Sequence, residues 1–225
     1  MPRVTRGAVA NGKGPLVLRR RGEVLEILAG NVVLLSSAAL ETELAFGRLA
    51  ASQGKGQAAR VLIGGMGFGA TVRGVLEGAS ADARVLVVER VAEVVDLVRG
   101  ELASMSGRPL DDPRVSVTEG DVFDVIARSD AAWDCILLDV DNGPHWASFR
   151  TNARLYAPAG LAVARRALAP GGFFAVWSGY PADAFLPRLR AAGLTSSSVL
   201  LRERGRVRAR AYVGTRPTGT GPDPL

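Results

Sequence analysis

The chain has 225 residues, 48% hydrophobic and 22% charged, a composition typical of a globular domain with at most a small appendage. Its single cysteine, Cys135, excludes a disulfide framework, and its single histidine, His145, excludes a multi-histidine metal cluster, so we expect no metal site. No apolar run reaches the roughly 18 residues that a membrane span needs. Because no apolar core follows the basic residues at the amino terminus, we expect no membrane partner and a cytoplasmic location.

The net charge is +6 at pH 7, from 28 basic and 22 acidic side chains, which raises the question of a nucleic-acid partner. Lys13 and Lys55 are the only lysines, and alanine and glycine are abundant. A GC-rich genome favours arginine, alanine and glycine together, so the charge has an explanation that involves no binding. Nucleic-acid binding therefore stays open but is not favoured.

The first 52 residues predict a flexible arm followed by a small β unit. Residues 1–15 are rich in glycine and basic side chains. Residues 16–36 alternate in hydrophobicity around glycine turn signals, which predicts two or three short strands. Residues 38–52 have apolar side chains near helical spacing. We therefore expect a small N-terminal β-hairpin plus a helix over 16–52.

From residue 53 to residue 215 short apolar strands alternate with helical segments, and the tail over 216–225 is expected to be flexible. Strands are predicted at 60–65, 84–89, 114–121, 134–141 and 173–178. Helices are predicted at 69–78, 91–104, 122–128, 151–168 and 182–192. A terminal hairpin is predicted over 196–204 and 206–214, with Gly205 at its tip.

This alternation predicts a Rossmann-like α/β fold. Its sheet is expected to be doubly wound and mostly parallel, with a C-terminal antiparallel hairpin and a small N-terminal β segment before it. In such sheets ligands bind just outside the carboxyl ends of the strands. The residues that directly follow each strand are therefore the ones expected to carry chemistry.

A glycine-rich segment, GGMGFG at Gly64–Gly69, joins the first of these strands to its helix. Glycines there permit a tight turn and close approach of a nucleotide. Glu89 ends the next strand, where a carboxylate accepts hydrogen bonds from both hydroxyls of a ribose. Together these residues indicate an adenosine-type ligand. The spacing Gly65-x-Gly67-x-x-Ala70 is also compatible with a dinucleotide.

Asp121 and Val122 follow the third strand of the series. A carboxylate at this place accepts the amino hydrogens of adenine, and the backbone amide of Val122 is expected to donate to a ring nitrogen. Asp121 also suits the N-cap of the helix that follows. The two roles of Asp121 are compatible.

Asp139 and Asp141 end the fourth strand, two residues apart, so in an extended chain their side chains point the same way. Two carboxylates that face one cleft suit a cationic amine. Their mutual repulsion raises the pKa of one of them, which suits a general base. The alternative is that one acid lies in the site and the other caps the turn.

An ordered set of motifs resembles the spermidine synthase-like branch of the class I S-adenosylmethionine-dependent transferases. The set is LIGGMGFGATVRGV, VLVVER, DPRVSVTEGDVFD, DCILLDVDNGP, and Asn152-x-x-x-Tyr156 ahead of Leu168-x-Pro170-Gly171-Gly172. It covers 60–178, with weaker similarity at 16–50. All class I methyltransferases share the glycine loop, whereas DPRV, GD and LLDxDxGP are more specific to the spermidine synthase-like group.

The resemblance implies a role for each matching position. The expected donor-binding residues are Gly65, Met66, Gly67, Glu89, Asp121 and Val122. The expected catalytic residues are Asp139, Asp141 and Tyr156, with Asp139 at the position of the base for the attacking amine. The implied co-substrate is S-adenosylmethionine or decarboxylated S-adenosylmethionine. The implied partners are a small-molecule acceptor, an amine, and a second copy of the chain in a homodimer.

The sequence also departs from the family pattern. Spermidine synthases have an aspartate in the glycine loop that contacts the aminopropyl amine of the donor, and Phe68 stands there in this chain. The acids that the family carries in its N-terminal segment are matched only by Glu41 or Glu43. The acidic pocket is therefore thinner, and the acceptor is left open. The residues expected at the substrate pocket are Phe68, His145, Trp146 and Trp177.

Some of these side chains also have a purely structural interpretation. His145 and Trp146 are equally compatible with an exposed loop whose Trp packs, and Trp177 with burial in the core. The terminal hairpin carries five arginines that suit either an anionic ligand or a charged edge that discourages strand pairing, of which we favour the edge. These arginines are Arg202, Arg204, Arg206, Arg208 and Arg210.

The sequence thus predicts a transferase that moves an aminopropyl or related alkyl group from a sulfonium donor to a small amine. An S-adenosylmethionine-dependent methyltransferase is the alternative, which Phe68 favours. A non-catalytic nucleotide- or nucleic-acid-binding protein is an alternative of another class, against which Asp139 and Asp141 argue. A nicotinamide-dependent dehydrogenase would leave the DxDxGP segment unexplained.

Overall fold

The structure, a computed structural model, describes residues 16–30, 32–53, 59–140, 143–144 and 152–219. The strands are β1 (Leu16–Arg21), β2 (Val24–Ala29), β3 (Val32–Ser36), β4 (Arg60–Gly64), β5 (Arg84–Glu89), β6 (Val115–Glu119), β7 (Trp133–Leu138), β8 (Leu168–Ser178), β9 (Thr195–Glu203) and β10 (Arg206–Thr215). The helices are α1 (Leu40–Gly47), α2 (Leu49–Ser52), α3 (Ala70–Gly78), α4 (Ala92–Arg99), α5 (Ala103–Ser106), α6 (Val122–Arg128), α7 (Ala153–Tyr156), α8 (Pro158–Ala167) and α9 (Phe185–Ala191).

The larger sheet has seven described strands in the order β6-β5-β4-β7-β8-β10-β9. Neighbouring strands run parallel from β6 through to β8, and β10 then pairs antiparallel with both β8 and β9. Helices connect the parallel strands, as parallel pairing requires. The predicted Rossmann-like α/β fold with an antiparallel C-terminal hairpin is therefore confirmed.

Two hydrophobic clusters cover the two faces of this sheet. Val61 and Ile63 of β4 lie in one cluster, and Leu62 between them lies in the other. β7 repeats the pattern, because Cys135 joins the first cluster and Ile136 the second. Successive side chains of a strand point to opposite faces, so a strand buried on both faces has to be apolar throughout.

The small N-terminal sheet has the order β1-β2-β3 and is antiparallel. Leu25 and Ile27 of β2 are buried in the same cluster as Phe46 of α1, so this sheet packs on the core of the larger one. Leu35 of β3 reaches the edge at which the parallel strands end. The N-terminal unit thus forms part of the surroundings of any ligand at that edge.

Several predicted elements have different bounds in the structure. The helix predicted over 151–168 is split, because Ala157 precedes Pro158 and has extended backbone angles, φ −72° and ψ 156°. The helix predicted over 91–104 ends at Arg99, ahead of Gly100. The Pro170–Gly172 segment, predicted to end a helix, lies inside β8.

Other differences are smaller. The helix predicted over 38–52 divides into a 3-10 turn, α1 and α2. The strand predicted over 134–141 ends at Leu138, so Asp139 directly follows it. In the described part of the chain, no helix is long and apolar enough to cross a membrane.

Candidate active site

A cleft that is open to solvent lies at the carboxyl ends of β4 to β7. The residues that line the cleft are Leu35, Gly65, Gly67, Val88, Glu89, Arg90, Val91, Val94, Gly120, Asp121, Val122, Asp139, Val140 and Asn152. Five predicted donor-binding residues and the predicted base are therefore neighbours in the fold.

The glycine loop between β4 and α3 lets the backbone approach the cleft closely. Gly65 has φ +91°, and a Cβ on it would lie 2.3 Å from the carbonyl oxygen of Asp139. Gly67 has φ +52°, a left-handed conformation that glycine adopts readily. No side chain larger than glycine fits between the loop after β4 and the residue after β7.

Glu89 holds the glycine loop to the end of β5. Its Oε2 accepts a hydrogen bond of 2.8 Å from the backbone amide of Met66, and its Oε1 accepts one of 2.8 Å from the amide of Val91. Burial raises the pKa of Glu89, and these amides oppose that effect. The Met66 side chain lies in the hydrophobic core, so Met66 contributes to the site through its backbone. Glu89 is thus fixed at the cleft, where its remaining lone pairs can accept hydrogen bonds from the hydroxyl groups of a ligand.

Asp121 follows β6 and caps α6, because its Oδ1 accepts a hydrogen bond of 2.9 Å from the amide of Phe123. Its Oδ2 accepts one of 2.6 Å from Arg154 and a short one from Arg90. The Arg154 guanidinium also lies over the Phe123 ring, 4.3 Å from its centroid. A carboxylate has about four lone-pair sites, so one site on Oδ1 is left for an adenine amino group.

The two arginines at Asp121 were not predicted from the sequence. Arg90 directly follows Glu89 in the chain and lines the cleft, whereas Arg154 lies more than thirty residues from Asp121. Val122 is buried and also lines the cleft. The adenine end of the predicted site therefore carries positive charge beside the aspartate.

Asp139 lies directly after β7, where its backbone amide donates a 2.8 Å hydrogen bond to the carbonyl oxygen of Gly64. Its Oδ2 accepts a 2.6 Å hydrogen bond from the Thr71 hydroxyl of α3. Burial raises the pKa of Asp139 to about 6, against the lowering effect of the Thr71 bond. A carboxyl group that titrates near neutral pH suits proton transfer.

Glu43 of α1 lies near Asp139 and also has a raised pKa. Burial is the largest cause, followed by the charges of Asp139 and Glu203. Glu43 Oε2 is 3.8 Å from the place where a Cβ on Gly67 would lie. The sequence indicated Glu43 only as one of two partial matches to family acids, and the structure brings it to the glycine loop.

Three predicted site residues point into the core and not into the cleft. Phe68 is 1% exposed, packs in the same hydrophobic cluster as Met66, and is not among the residues that line the cleft. Tyr156 is 2% exposed, and its ring meets the edge of Phe185 at a centroid distance of 6.0 Å. Phe68 was predicted to line the substrate pocket and Tyr156 to be catalytic; both side chains are buried in the structure, and their roles stay predictions.

Trp177, the third of them, is 8% exposed and packs in the core. Its indole Nε1 donates a 3.2 Å hydrogen bond to the Thr42 hydroxyl, which joins β8 to α1. The structural interpretation of Trp177 therefore fits this geometry better than a place in the substrate pocket. Asp141, His145 and Trp146 lie outside the described residues, and their roles stay predictions.

The terminal hairpin β9–β10 has exposed arginines at 202, 204, 206 and 208, and β9 is an edge strand of the sheet. Arg202 donates a 2.8 Å hydrogen bond to the carbonyl oxygen of Gly205 within the hairpin. The backbone amide of Arg204 donates to Glu41 at 2.7 Å, and the amide of Glu41 donates to Glu203 at 3.0 Å. The hairpin tip is thus bound to the start of α1.

No family model matches the chain. In sequence it is 33% identical over 124 residues to a polyamine aminopropyltransferase of Synechococcus sp. (strain JA-2-3B'a(2-13)). That alignment covers 53% of this chain and 37% of the relative. It is 35% identical over 120 residues to polyamine aminopropyltransferase 2 of Pseudomonas aeruginosa, and that alignment covers 52% of this chain and 32% of the relative. The alignments thus span about a third of each of these relatives.

In fold the chain is similar to spermidine synthase from Thermotoga maritima, with a TM-score of 0.73 and 14% identity over 97% of this chain and 73% of that one. The predicted resemblance to the spermidine synthase-like family is confirmed. A spermidine synthase in complex with the transition state analogue AdoDATO gives a TM-score of 0.72 and 15% identity, covering 97% and 76% of the two chains. The fold of this chain is thus that of spermidine synthases.

Proposed function

We propose that this chain is a spermidine synthase-like transferase that moves an aminopropyl group from decarboxylated S-adenosylmethionine to a small amine. The observation that carries the proposal is the buried Asp139 carboxyl, which lies beside the glycine loop in the same cleft as Glu89. The sequence relatives that are named polyamine aminopropyltransferases support the same reaction class. Their names also support an amine as the acceptor.

The strand order supports a linear arrangement of the donor along the sheet edge. Asp121 follows β6, Glu89 ends β5, the glycine loop follows β4 and Asp139 follows β7, and these strands are adjacent in that order. An adenine at Asp121 and a ribose at Glu89 leave the sulfonium and its reacting carbon between Gly67 and Asp139. The predicted base then lies beside the reacting centre, as the mechanism needs.

The chemistry proposed is a direct displacement at carbon. The acceptor nitrogen forms a bond to the carbon attached to sulfur, the carbon–sulfur bond breaks, and its electron pair stays on sulfur as a neutral thioether. Asp139 takes the proton that the amine nitrogen loses. Alignment in the cleft contributes about 7–11 kcal/mol in favourable cases, and proton removal adds about 10²- to 10⁴-fold.

The test is a transfer assay with decarboxylated S-adenosylmethionine and a panel of diamines, read by mass spectrometry. Formation of methylthioadenosine together with an aminopropylated amine is the expected result. Asp139→Asn should lower turnover about 10²- to 10⁴-fold while binding of methylthioadenosine, which has no tail amine, stays within about threefold. Methylated amine from intact S-adenosylmethionine would instead show a methyltransferase, and no transfer from either donor would refute the proposal.

The resemblance also leads us to propose a homodimer. Sedimentation equilibrium of the full chain measures this independently of activity. A monomer across the accessible concentration range would contradict the dimer and leave the proposed reaction standing.

A further inference from the structure

The glycine loop supplies no acid to the cleft, but α1 brings one to the loop from outside. Phe68 occupies the loop position at which spermidine synthases have an aspartate, and its side chain is buried in the core. Glu43 Oε2 lies 3.8 Å from the place where a Cβ on Gly67 would lie. Gly67 itself lines the cleft. A carboxylate is thus present at the loop although the loop sequence has none.

The position of Glu43 is set by contacts between α1 and its neighbours. α1 packs against α3, and the Thr71 hydroxyl of α3 lies 3.3 Å from the Glu43 carbonyl oxygen. The same hydroxyl donates to Asp139 at 2.6 Å. Trp177 further fixes α1 through its hydrogen bond to Thr42, the residue before Glu43. Thr71 therefore contacts both the backbone of Glu43 and the carboxylate of Asp139.

No positive group offsets the charge of Glu43 within the described residues. Burial and the charges of Asp139 and Glu203 all raise its pKa, and no hydrogen bond or cation there lowers it. An ionised acid in this position destabilises the folded state, because desolvation and nearby like charges both disfavour its charged form. A cationic group bound between Glu43 and Asp139 would reverse that balance.

We propose that Glu43 binds the primary ammonium group at the end of the donor's aminopropyl arm and takes the place of the acid that the glycine loop lacks. This inference rests on the proposed function, since it assigns the donor tail to the region between Gly67 and Asp139. Glu43 is then a specificity-determining residue. The α-carboxylate of intact S-adenosylmethionine would meet two carboxylates, whereas the decarboxylated donor brings only a cation.

The experiment is a calorimetric titration of the full chain with decarboxylated S-adenosylmethionine, S-adenosylmethionine and methylthioadenosine. Methylthioadenosine has no tail amine and therefore reports the adenosine site alone. Glu43→Gln keeps the side chain's shape and removes its charge. Glu41→Gln is the matched control, because Glu41 is on the same helix and bonds the hairpin, where a glutamine oxygen still accepts from Arg204.

For Glu43→Gln we expect binding of decarboxylated S-adenosylmethionine to weaken about 10- to 100-fold, because a charge-assisted hydrogen bond is lost. Methylthioadenosine should bind within about twofold of wild type, and the preference over intact S-adenosylmethionine should shrink or vanish. Glu43→Asp keeps the charge but shortens the side chain, so its loss should be intermediate. Glu41→Gln should bind all three compounds as wild type does.

Four results would overturn the inference. Equal weakening of methylthioadenosine and the decarboxylated donor would show that Glu43 only supports the fold. Unchanged donor binding would show that the ammonium lies elsewhere. The acceptor amine can also be titrated in the presence of methylthioadenosine, and an effect of Glu43→Gln on that titration alone would show the same. Wild-type protein that binds none of the three compounds would refute the proposed function together with this inference, whereas the other three results leave the proposed function intact.

Discussion

The Thr71 hydroxyl lies 2.6 Å from Asp139 Oδ2 and 3.3 Å from the carbonyl oxygen of Glu43. A hydroxyl has a single proton, and the shorter distance indicates that it donates to the Asp139 carboxylate. This bond stabilises the ionised form and so opposes the effect of burial on the Asp139 pKa. Thr71 is itself buried on α3, and nothing in the sequence pattern distinguished it from a packing residue.

The pH profile of transfer should report the Asp139 carboxyl. Its pKa is raised to about 6, and only its ionised form accepts a proton. We therefore expect kcat/KM to rise about tenfold per pH unit up to about pH 6 and to level off above it. Initial rates between pH 5 and 8 at low donor concentration measure this limb. An acidic limb centred near pH 4 would show that a group with an ordinary carboxyl pKa controls the rate.

Thr71→Val should move that limb to higher pH. Valine keeps the shape of threonine but removes the hydroxyl, so the ionised form of Asp139 loses the bond that stabilises it. We expect the midpoint of the kcat/KM profile to rise by about one pH unit and the plateau rate at pH 8 to change little. Thr71→Ser keeps the hydroxyl and is the control. An equal loss of rate at every pH would mean that Thr71 acts only through packing.

Asp139→Asn should make the fold more stable at the same pH at which we expect it to lower the proposed transfer rate. The folded-state pKa of Asp139 lies above its unfolded value, so the native state binds more protons between about pH 4 and 6, and stability falls as pH rises through this window. Asparagine is uncharged, and its side-chain oxygen still accepts from Thr71. We expect a gain on the order of 2 kcal/mol at pH 8 that shrinks towards zero near pH 4.

Urea unfolding at the two pH values measures this difference. The exposed acid Glu23 offers a matched control, since Glu23→Gln removes a charge without a burial cost. A destabilised Asp139→Asn protein at pH 8 would contradict the raised pKa. It would indicate that Asp139 is held in its charged form by contacts that asparagine cannot make.

The fold could be predicted because its signals are local. Buried parallel strands contain continuous apolar runs, such as residues 85–88 of β5, and Gly205 marks a hairpin tip that the structure also has. The bounds of helices were less predictable where a proline or glycine interrupts them, as at Pro158. There the sequence shows the breaker but not whether the helix resumes.

The candidate site was only partly predictable. Glu89, Asp121 and Asp139 follow strands, so topology alone brings them to one edge. Glu43 comes from a helix outside the sheet, and its approach to Gly67 depends on how α1 packs on α3. The direction of the Phe68 side chain depends on loop geometry that residue spacing does not define.

The close approach between Gly65 and Asp139 leads to a last prediction, on the glycine loop. A Cβ on Gly65 would lie 2.3 Å from the Asp139 carbonyl oxygen, and the residue has φ +91°, which L-residues rarely adopt. In Gly65→Ala the alanine is therefore strained at its backbone, and its methyl group clashes with the Asp139 carbonyl oxygen, a backbone atom that cannot rotate away. We expect a loss of unfolding free energy of more than about 2 kcal/mol, together with a loss of methylthioadenosine binding.

Gly205→Ala is the control for the backbone strain alone. Gly205 has φ +75°, but a Cβ there would meet no atom within 4 Å. This variant should lose only about 1 kcal/mol and bind methylthioadenosine as wild type does. Equal stability losses for the two variants would mean that the loop moves to accept a methyl group. The close packing of the glycine loop on the residue after β7 would then not be what shapes the cleft.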